Sequence, residues 1–221
     1  MKKKFNNDIL YGCSGGIGKE VANNLINSKH SEKRFFIYDD TINKNWINTV
    51  SVEYLRINME KDIEIKNHYH LFKGKNRLIL ASGVRILGDI SNKEIEKMFR
   101  VNYTSTVNII NTFLDLASPG SVVIVTGSIA ARQSDLNELH YGASKAALSA
   151  AIACLQKKAT EKRISLMELS LGAVNAGMSS DRIDAKSCID AKELASTICK
   201  LSIMDFKSLR IPTMNILRMK Y

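Results

Sequence analysis

Four glycines fall within seven residues, Gly12-Cys13-Ser14-Gly15-Gly16-Ile17-Gly18, between a short apolar run and a segment of helical period. The run is Asp8–Tyr11; the segment sets Ile17, Val21 and Leu25 on one face, with Ala22 and Ile26 beside them. A chain that passes from strand to helix through such a turn brings bare backbone up to the first turn of the helix. There, unpaired N–H groups and the positive end of the helix dipole face whatever anion approaches, a pyrophosphate above all. Alone, the glycine string is a weak signal, with a tight strand-to-helix turn as its alternative. The rest of the chain decides.

Downstream, apolar runs of strand length alternate with longer helix-period segments. Strands are expected over Arg34–Tyr38, Val52–Ile57, Arg77–Ala81, Ser121–Thr126 and Ser165–Leu171, with a last one within Ile211–Ile216. Helices are expected over Glu94–Leu116, Tyr141–Glu161 and Ala191–Leu201. This alternation predicts an α/β fold, a doubly wound parallel sheet of the Rossmann kind covered on both faces. No repeat, low-complexity tract or linker interrupts it, so residues 1–221 read as a single domain.

The second strand ends at Asp39-Asp40, and Asp39 lies 21 residues past Gly18. An acidic residue at that interval, on the tip of the second strand, is where a ribose diol is held. Asp39 would accept from both hydroxyls and repel a 2′-phosphate. No Arg or Lys stands at Cys13, Ser14 or Gly15, or directly after Asp39, to receive that phosphate. NAD(H) is therefore favoured, with NADP(H) the alternative.

Tyr141 and Lys145 form Y-x3-K at the head of a helix rich in small residues. Residues four apart share a helix face, so an ammonium can lie near the phenol. A free tyrosine titrates near ~10, and a neighbouring cation favours the phenolate, which suits a group that must give and take a proton. Ser128, 13 residues upstream of Tyr141 and just past a strand, can hydrogen-bond a substrate oxygen.

Taken together, these residues resemble the short-chain dehydrogenase/reductase family over roughly the first 180 residues. The resemblance rests on Gly12-x3-Gly16-Ile17-Gly18, Arg100-Val101-Asn102-Tyr103, Ser128, Tyr141-x3-Lys145 and Leu171-Gly172-Ala173-Val174-Asn175, in that order. It implies a catalytic tetrad of Asn102, Ser128, Tyr141 and Lys145. Tyr141 would be the general acid/base, Ser128 would polarise the substrate oxygen, Lys145 would also bind the nicotinamide ribose, and Asn102 would hold a water that relays protons to Lys145. It implies coenzyme contacts from Ser14, Gly15 and Ile17 in the turn, from Asp39 and Asn58, from Ala81-Ser82-Gly83, and from Val174.

Departures from the family pattern accompany the match. Tyr11 replaces the usual Thr before the first glycine, and Leu80-Ala81-Ser82-Gly83 stands where the family has Asn-Asn-Ala-Gly. Asn58 stands where an Asp commonly meets the adenine; an amide can both donate and accept there. Leu171 replaces a Pro, and Ala176 replaces a Thr that meets the nicotinamide end, with Ser179 or Ser180 as substitutes. Only about fifteen residues separate Val174 from the helix opening near Asp190, where the family often builds a substrate lid. A short lid predicts either an open site for a bulky substrate or a loop that orders on binding.

The resulting expectation is an oxidoreductase that interconverts a hydroxyl and a carbonyl by hydride transfer. The alternative is a non-catalytic dinucleotide-binding or sensing protein on the same fold, which would have no need of Ser128, Tyr141 and Lys145. Lys and Arg total 32 against 22 Asp and Glu, a net charge of +10. That balance raises nucleic acid as a partner, but the basic residues are dispersed and no zinc-finger spacing or aromatic-interleaved basic strand occurs, so none is expected. An anionic or carrier-linked small molecule suits the charge better. Cys13, Cys154, Cys188 and Cys199 show neither CxxC nor Cys/His spacing, so no metal is expected and a reducing cytoplasm is. No run approaches the ~20 apolar residues of a membrane span. Finally, alanines on several faces of the helix from Tyr141, together with the segment Asn102–Leu116, predict a homodimer or homotetramer, as the resemblance also implies.

Overall fold

Ile9, Leu10 and Tyr11 are all fully buried, so the strand that carries them is covered on both faces. In the computed structural model, which describes residues 4–39, 52–133, 135–176, 188–204 and 210–218, that strand is β1 (Phe5–Tyr11). It lies between β2 (Ser31–Tyr38) and β4 (Asn76–Leu80), parallel to both. With β3 (Glu53–Arg56), β5 (Val122–Ser128), β6 (Ser165–Leu171) and β7 (Thr213–Ile216), the strands form one parallel sheet in the order β3-β2-β1-β4-β5-β6-β7. All seven expected strands are present. The order reverses between β1 and β4, which opens a crevice beyond their carboxyl ends.

Side chains alternate across the strands, and each face is sealed by helices. On one face Ile9, Ile37, Leu78, Val123 and Val125 pack beneath Ile109, Phe113, Leu148 and Ile152. On the other Leu10, Phe36, Ile79, Ile124 and Leu169 meet Val21, Leu25, Leu194 and Ile198. The helices are α1 (Gly16–Ile26), α2 (Asp62–Lys66), α3 (Asn92–Phe99), α4 (Thr106–Leu116), α5 (Leu139–Glu161) and α6 (Ala191–Ile203).

Two differences from the sequence reading have local causes. The five-residue α2 is too short to show a period. The segment expected as one helix over Glu94–Leu116 starts at Asn92, behind a capping box in which Ser91 and Glu94 bond each other's backbone N–H. It is then interrupted by a π-helical stretch, Arg100–Ser105, before α4 begins. Here Thr106 Oγ1 donates to the Val101 carbonyl at 2.9 Å, and Ser105 Oγ donates to the Met59 carbonyl at 2.6 Å. Asn102 lies within this stretch.

At the opposite end of the sheet, Arg77 and Asp8 form a buried bidentate pair, Nε to Oδ1 and Nη2 to Oδ2, both 2.8 Å. Arg77 Nη1 also donates to Ser202 Oγ at 2.8 Å, tying α6 to the sheet, and Ser31 Oγ donates to Asp8.

Candidate functional site

The glycine turn is backbone packed on backbone. Gly12 has φ +83°, a left-handed conformation, and a Cβ there would fall 2.6 Å from the Ser82 backbone nitrogen. A Cβ on Gly18 would fall 1.9 Å from the Gly12 carbonyl oxygen. Only hydrogen at these positions lets β1, the tail of β4 and α1 meet. The helix then starts at Gly16 with no side chain capping its first turn, so its end faces the crevice bare. Within the turn, the buried Cys13 thiol is pushed up to about 12 by burial, and it is chemically quiet.

A cleft of about 1280 Å³ runs along the carboxyl ends of the strands. Gly12, Ser14, Gly15, Gly16 and Ile17 line its middle. One end holds Asp39, Arg56 and Asn58. Ser14 Oγ donates to Asp39 Oδ1 at 3.2 Å, linking the turn to the tip of β2. Ala81, Ser82, Gly83 and Val174 also line the cleft, and the Ser82 hydroxyl is buried with no hydrogen-bond partner among the described residues. Gly18 and Asn102 lie behind the lining. Asp40, Ser179 and Ser180 fall outside the described residues, as does most of the expected lid.

The other end of the cleft is built by β5, α5 and the segment after β4. Lys145 Nζ lies 6.0 Å from the Tyr141 ring centroid, and Arg85 reaches the same ring at 6.0 Å. Burial holds the Tyr141 phenol above its ordinary value, against the downward pull of its hydrogen bond with Ser128 and of the Arg85 charge. Lys145 is buried, donates to the Thr126 carbonyl at 3.2 Å, and is pushed down to about 8 by desolvation. The Tyr141 phenol is therefore held in its protonated form, while the Lys145 ammonium holds its proton less tightly than an exposed lysine would.

Asn102 is buried and held by its side chain from two sides. Its Oδ1 accepts from the Val84 N–H at 2.7 Å, and its Nδ2 donates to the Val84 carbonyl at 2.8 Å and to Ser144 Oγ at 3.0 Å. Ser144 Oγ in turn donates to the Tyr141 carbonyl at 2.8 Å. Both amide protons are thus committed to protein, and the side chain clamps the segment after β4 to α5.

Three residues escaped the sequence reading. Arg56 on β3 is in register with Tyr38 on β2, so it stands beside Asp39 although 17 positions later in the chain. Arg85 pairs with Glu138, its Nε donating to Oε1 at 3.1 Å, where Asp135 orders the turn before α5. Glu168 is buried on β6, near enough for its charge to act on Lys145; an acid amid the apolar residues of β6 was the available signal.

This set of residues fits a dinucleotide laid from Asp39 to Tyr141: a bare helix end at mid-cleft, an acceptor for a diol at one end, and an unsatisfied hydroxyl in the wall. Among the described residues no group of three or more His, Cys, Asp or Glu could hold a metal ion, and no helix is long and apolar enough to cross a membrane.

Comparison with known proteins agrees with this geometry. The family model for short chain dehydrogenase matches residues 8–187. No curated protein sequence matches the chain. Among solved structures, BdcA in complex with NADPH superposes with a TM-score of 0.83 at 14% identity, covering 95% of this chain and 93% of that one. A short chain dehydrogenase from Burkholderia cenocepacia in complex with NADP gives 0.82 at 17% identity, covering 97% and 96%. A short chain dehydrogenase family protein from Francisella tularensis gives 0.81 at 18% identity, covering 96% of each. At such identities the likeness speaks for the fold.

Proposed function

The chain belongs to the short-chain dehydrogenase family, and on that premise we propose that it is an NAD(P)-dependent oxidoreductase interconverting a hydroxyl and a carbonyl on a small-molecule substrate. The observation that carries this reading is the Tyr141 phenol, bonded to Ser128 and flanked by the Lys145 and Arg85 cations, at the end of the cleft opposite Asp39.

A bound nicotinamide dinucleotide supplies or accepts the hydride. The protein's own part is protonic and electrostatic. Ser128 orients the substrate oxygen, Tyr141 passes it a proton during reduction or removes one during oxidation, and the Lys145 charge stabilises the phenolate that remains. Asn102 holds the two walls of this pocket together through Val84 and Ser144. Arg85 at the Tyr141 ring suits a substrate with an anionic group nearby.

For the coenzyme, Asp39 supports NAD(H) through the ribose diol. Arg56, beside it in the same cleft, offers the cation that a 2′-phosphate needs, and the NADPH and NADP named for two of the neighbours favour that form. The reading therefore takes both coenzymes. It also takes a homodimer or homotetramer formed through α4 and α5, and a reducing cytoplasm in keeping with four free thiols. A binding protein without catalysis would need neither the proton donor nor its flanking cations.

The test is to titrate the purified protein with NADH and NADPH by fluorescence. It is then incubated with coenzyme and a cell extract, and metabolites changed by the mass of two hydrogens are sought. Coenzyme binding with a Tyr141-dependent product supports the proposal; binding with no product leaves the sensing role in its place.

A further inference from the structure

Beneath the catalytic end of the cleft lies a carboxylate that the reaction above does not use. Glu168, on β6, is 1% exposed. It projects toward α5, where Ser149 Oγ donates to its Oε2 at 2.8 Å. Its other oxygen occupies space left by a glycine: a Cβ on Gly127 would fall 2.3 Å from Glu168 Oε1 and 2.9 Å from its Cγ. Gly127 directly precedes Ser128, and Tyr141, Lys145 and Ser149 follow one another at four-residue steps on the same face of α5. The acid is thus built in, with one oxygen hydrogen-bonded and the other housed by a missing side chain, one helical turn deeper than the lysine.

A buried carboxylate with one neutral donor and no cation within ion-pair distance among the described residues is costly unless an opposite charge lies nearby. Lys145 is that charge, and it is buried too. Its neighbours from each packed element are Tyr141 on its own helix, the Thr126 carbonyl on β5 and Glu168 on β6; Arg85 and Glu138 face Tyr141 from the outer side.

We propose that Glu168 is a positioning residue for the proposed oxidoreductase: seated between Gly127 and Ser149, it is the counter-charge that keeps the Lys145 ammonium protonated beneath the Tyr141 phenol. The role rests on the functional reading above only in the use made of the charge; the placement of Glu168 between Gly127 and Ser149 does not depend on it. The direction is consistent, since desolvation drives Lys145 down and the Glu168 charge pushes it back up.

The experiment follows the 13Cε signal of Lys145 against pH in the lysine-labelled full chain without coenzyme, the resonance being assigned by its loss in Lys145→Met. The wild-type midpoint is expected at about 8. In Glu168→Gln, which keeps shape and the Ser149 bond, it falls by about one unit or more, as removal of a nearby opposite charge requires. Should that variant not fold, the double variant Gly127→Ala/Glu168→Ala is read instead, because the new methyl fills part of the space the carboxylate leaves. An unmoved midpoint in either folded protein overturns the proposal. The outcomes separate cleanly from those of the functional reading. A shifted midpoint with no oxidoreductase activity sustains the charge pairing alone, whereas Tyr141-dependent turnover with an unmoved midpoint removes Glu168 alone.

Discussion

Gly18 lies so close beneath Gly12 that a methyl group on it would fall 1.9 Å from the Gly12 carbonyl oxygen. The contact sets how far α1 can approach the end of β1, and so where the bare helix end faces the cleft. Gly18→Ala must push the helix away, at an overpacking cost of about 1–3 kcal/mol, with coenzyme affinity falling as well. Gly15→Ala, whose methyl would meet the same oxygen at 3.4 Å, serves as control and should keep its stability. Urea denaturation of both variants checks this; equal stability would show that the turn tolerates the displacement.

Tyr141→Phe is expected to abolish turnover while retaining the fold and coenzyme binding. The ring keeps its place between the Lys145 and Arg85 cations, but nothing remains to carry the proton. Residual kcat above a few percent of wild type, once a substrate is found, would place the acid elsewhere.

At the far end of the cleft, Asp39 and Arg56 should act in opposite senses. Asp39→Ala removes the diol acceptor and is expected to weaken NADH binding roughly tenfold, since a charge-assisted hydrogen bond is worth about 1.5–3 kcal/mol. Arg56→Ala should weaken NADPH and leave NADH nearly unchanged. Fluorescence titration of each variant with both coenzymes decides it, and parallel losses for both would remove these residues from coenzyme discrimination.

The two titrating groups at the catalytic end set a pH dependence. In the proposed mechanism, carbonyl reduction needs Tyr141 protonated and Lys145 charged. Burial moves the phenol up and the ammonium down to about 8, so as pH rises Lys145 is the first of the pair to lose its proton. The reduction kcat/KM should therefore fall above about pH 8. A flat profile through that region would show that the lysine charge is not required.

Breaking the Asp8–Arg77 pair should be costly for a different reason. Arg77→Met strands a carboxylate that is 0% exposed and frees Ser202 from the sheet. Loss of one partner of a buried pair costs about 3–5 kcal/mol. The double variant Asp8→Asn/Arg77→Met should lose less than Arg77→Met alone, because no buried charge is left. Chemical denaturation measures both, and a loss under about 1 kcal/mol for Arg77→Met would mean water reaches the site.

What could be read along the chain was whatever has a local signature. The strands announced themselves as apolar runs, α1 and α6 by period, and the glycine turn and Y-x3-K by residue types at short fixed intervals. With the topology of an alternating α/β chain, these were enough to bring Gly12, Asp39, Ser128, Tyr141 and Lys145 to the carboxyl end of one sheet. The tertiary structure alone decided what crosses between elements. Arg56 stands beside Asp39 only because β3 pairs with β2 in the register that sets it opposite Tyr38. Arg85 meets Tyr141 only because the segment after β4 packs on the turn before α5. Asn102 bonds to Val84 and Ser144 only because the segment after β4 and α5 both pack against its helix, which is π-helical there in a way no spacing rule foretells. Glu168 could be flagged from sequence as an acid in an apolar strand, but not located near Lys145, since that depends on the absent side chain of Gly127 one strand away. The physical reason is common to all four. Strand register and interhelical packing are fixed by the whole buried surface at once, so neither leaves a mark on any short stretch of sequence.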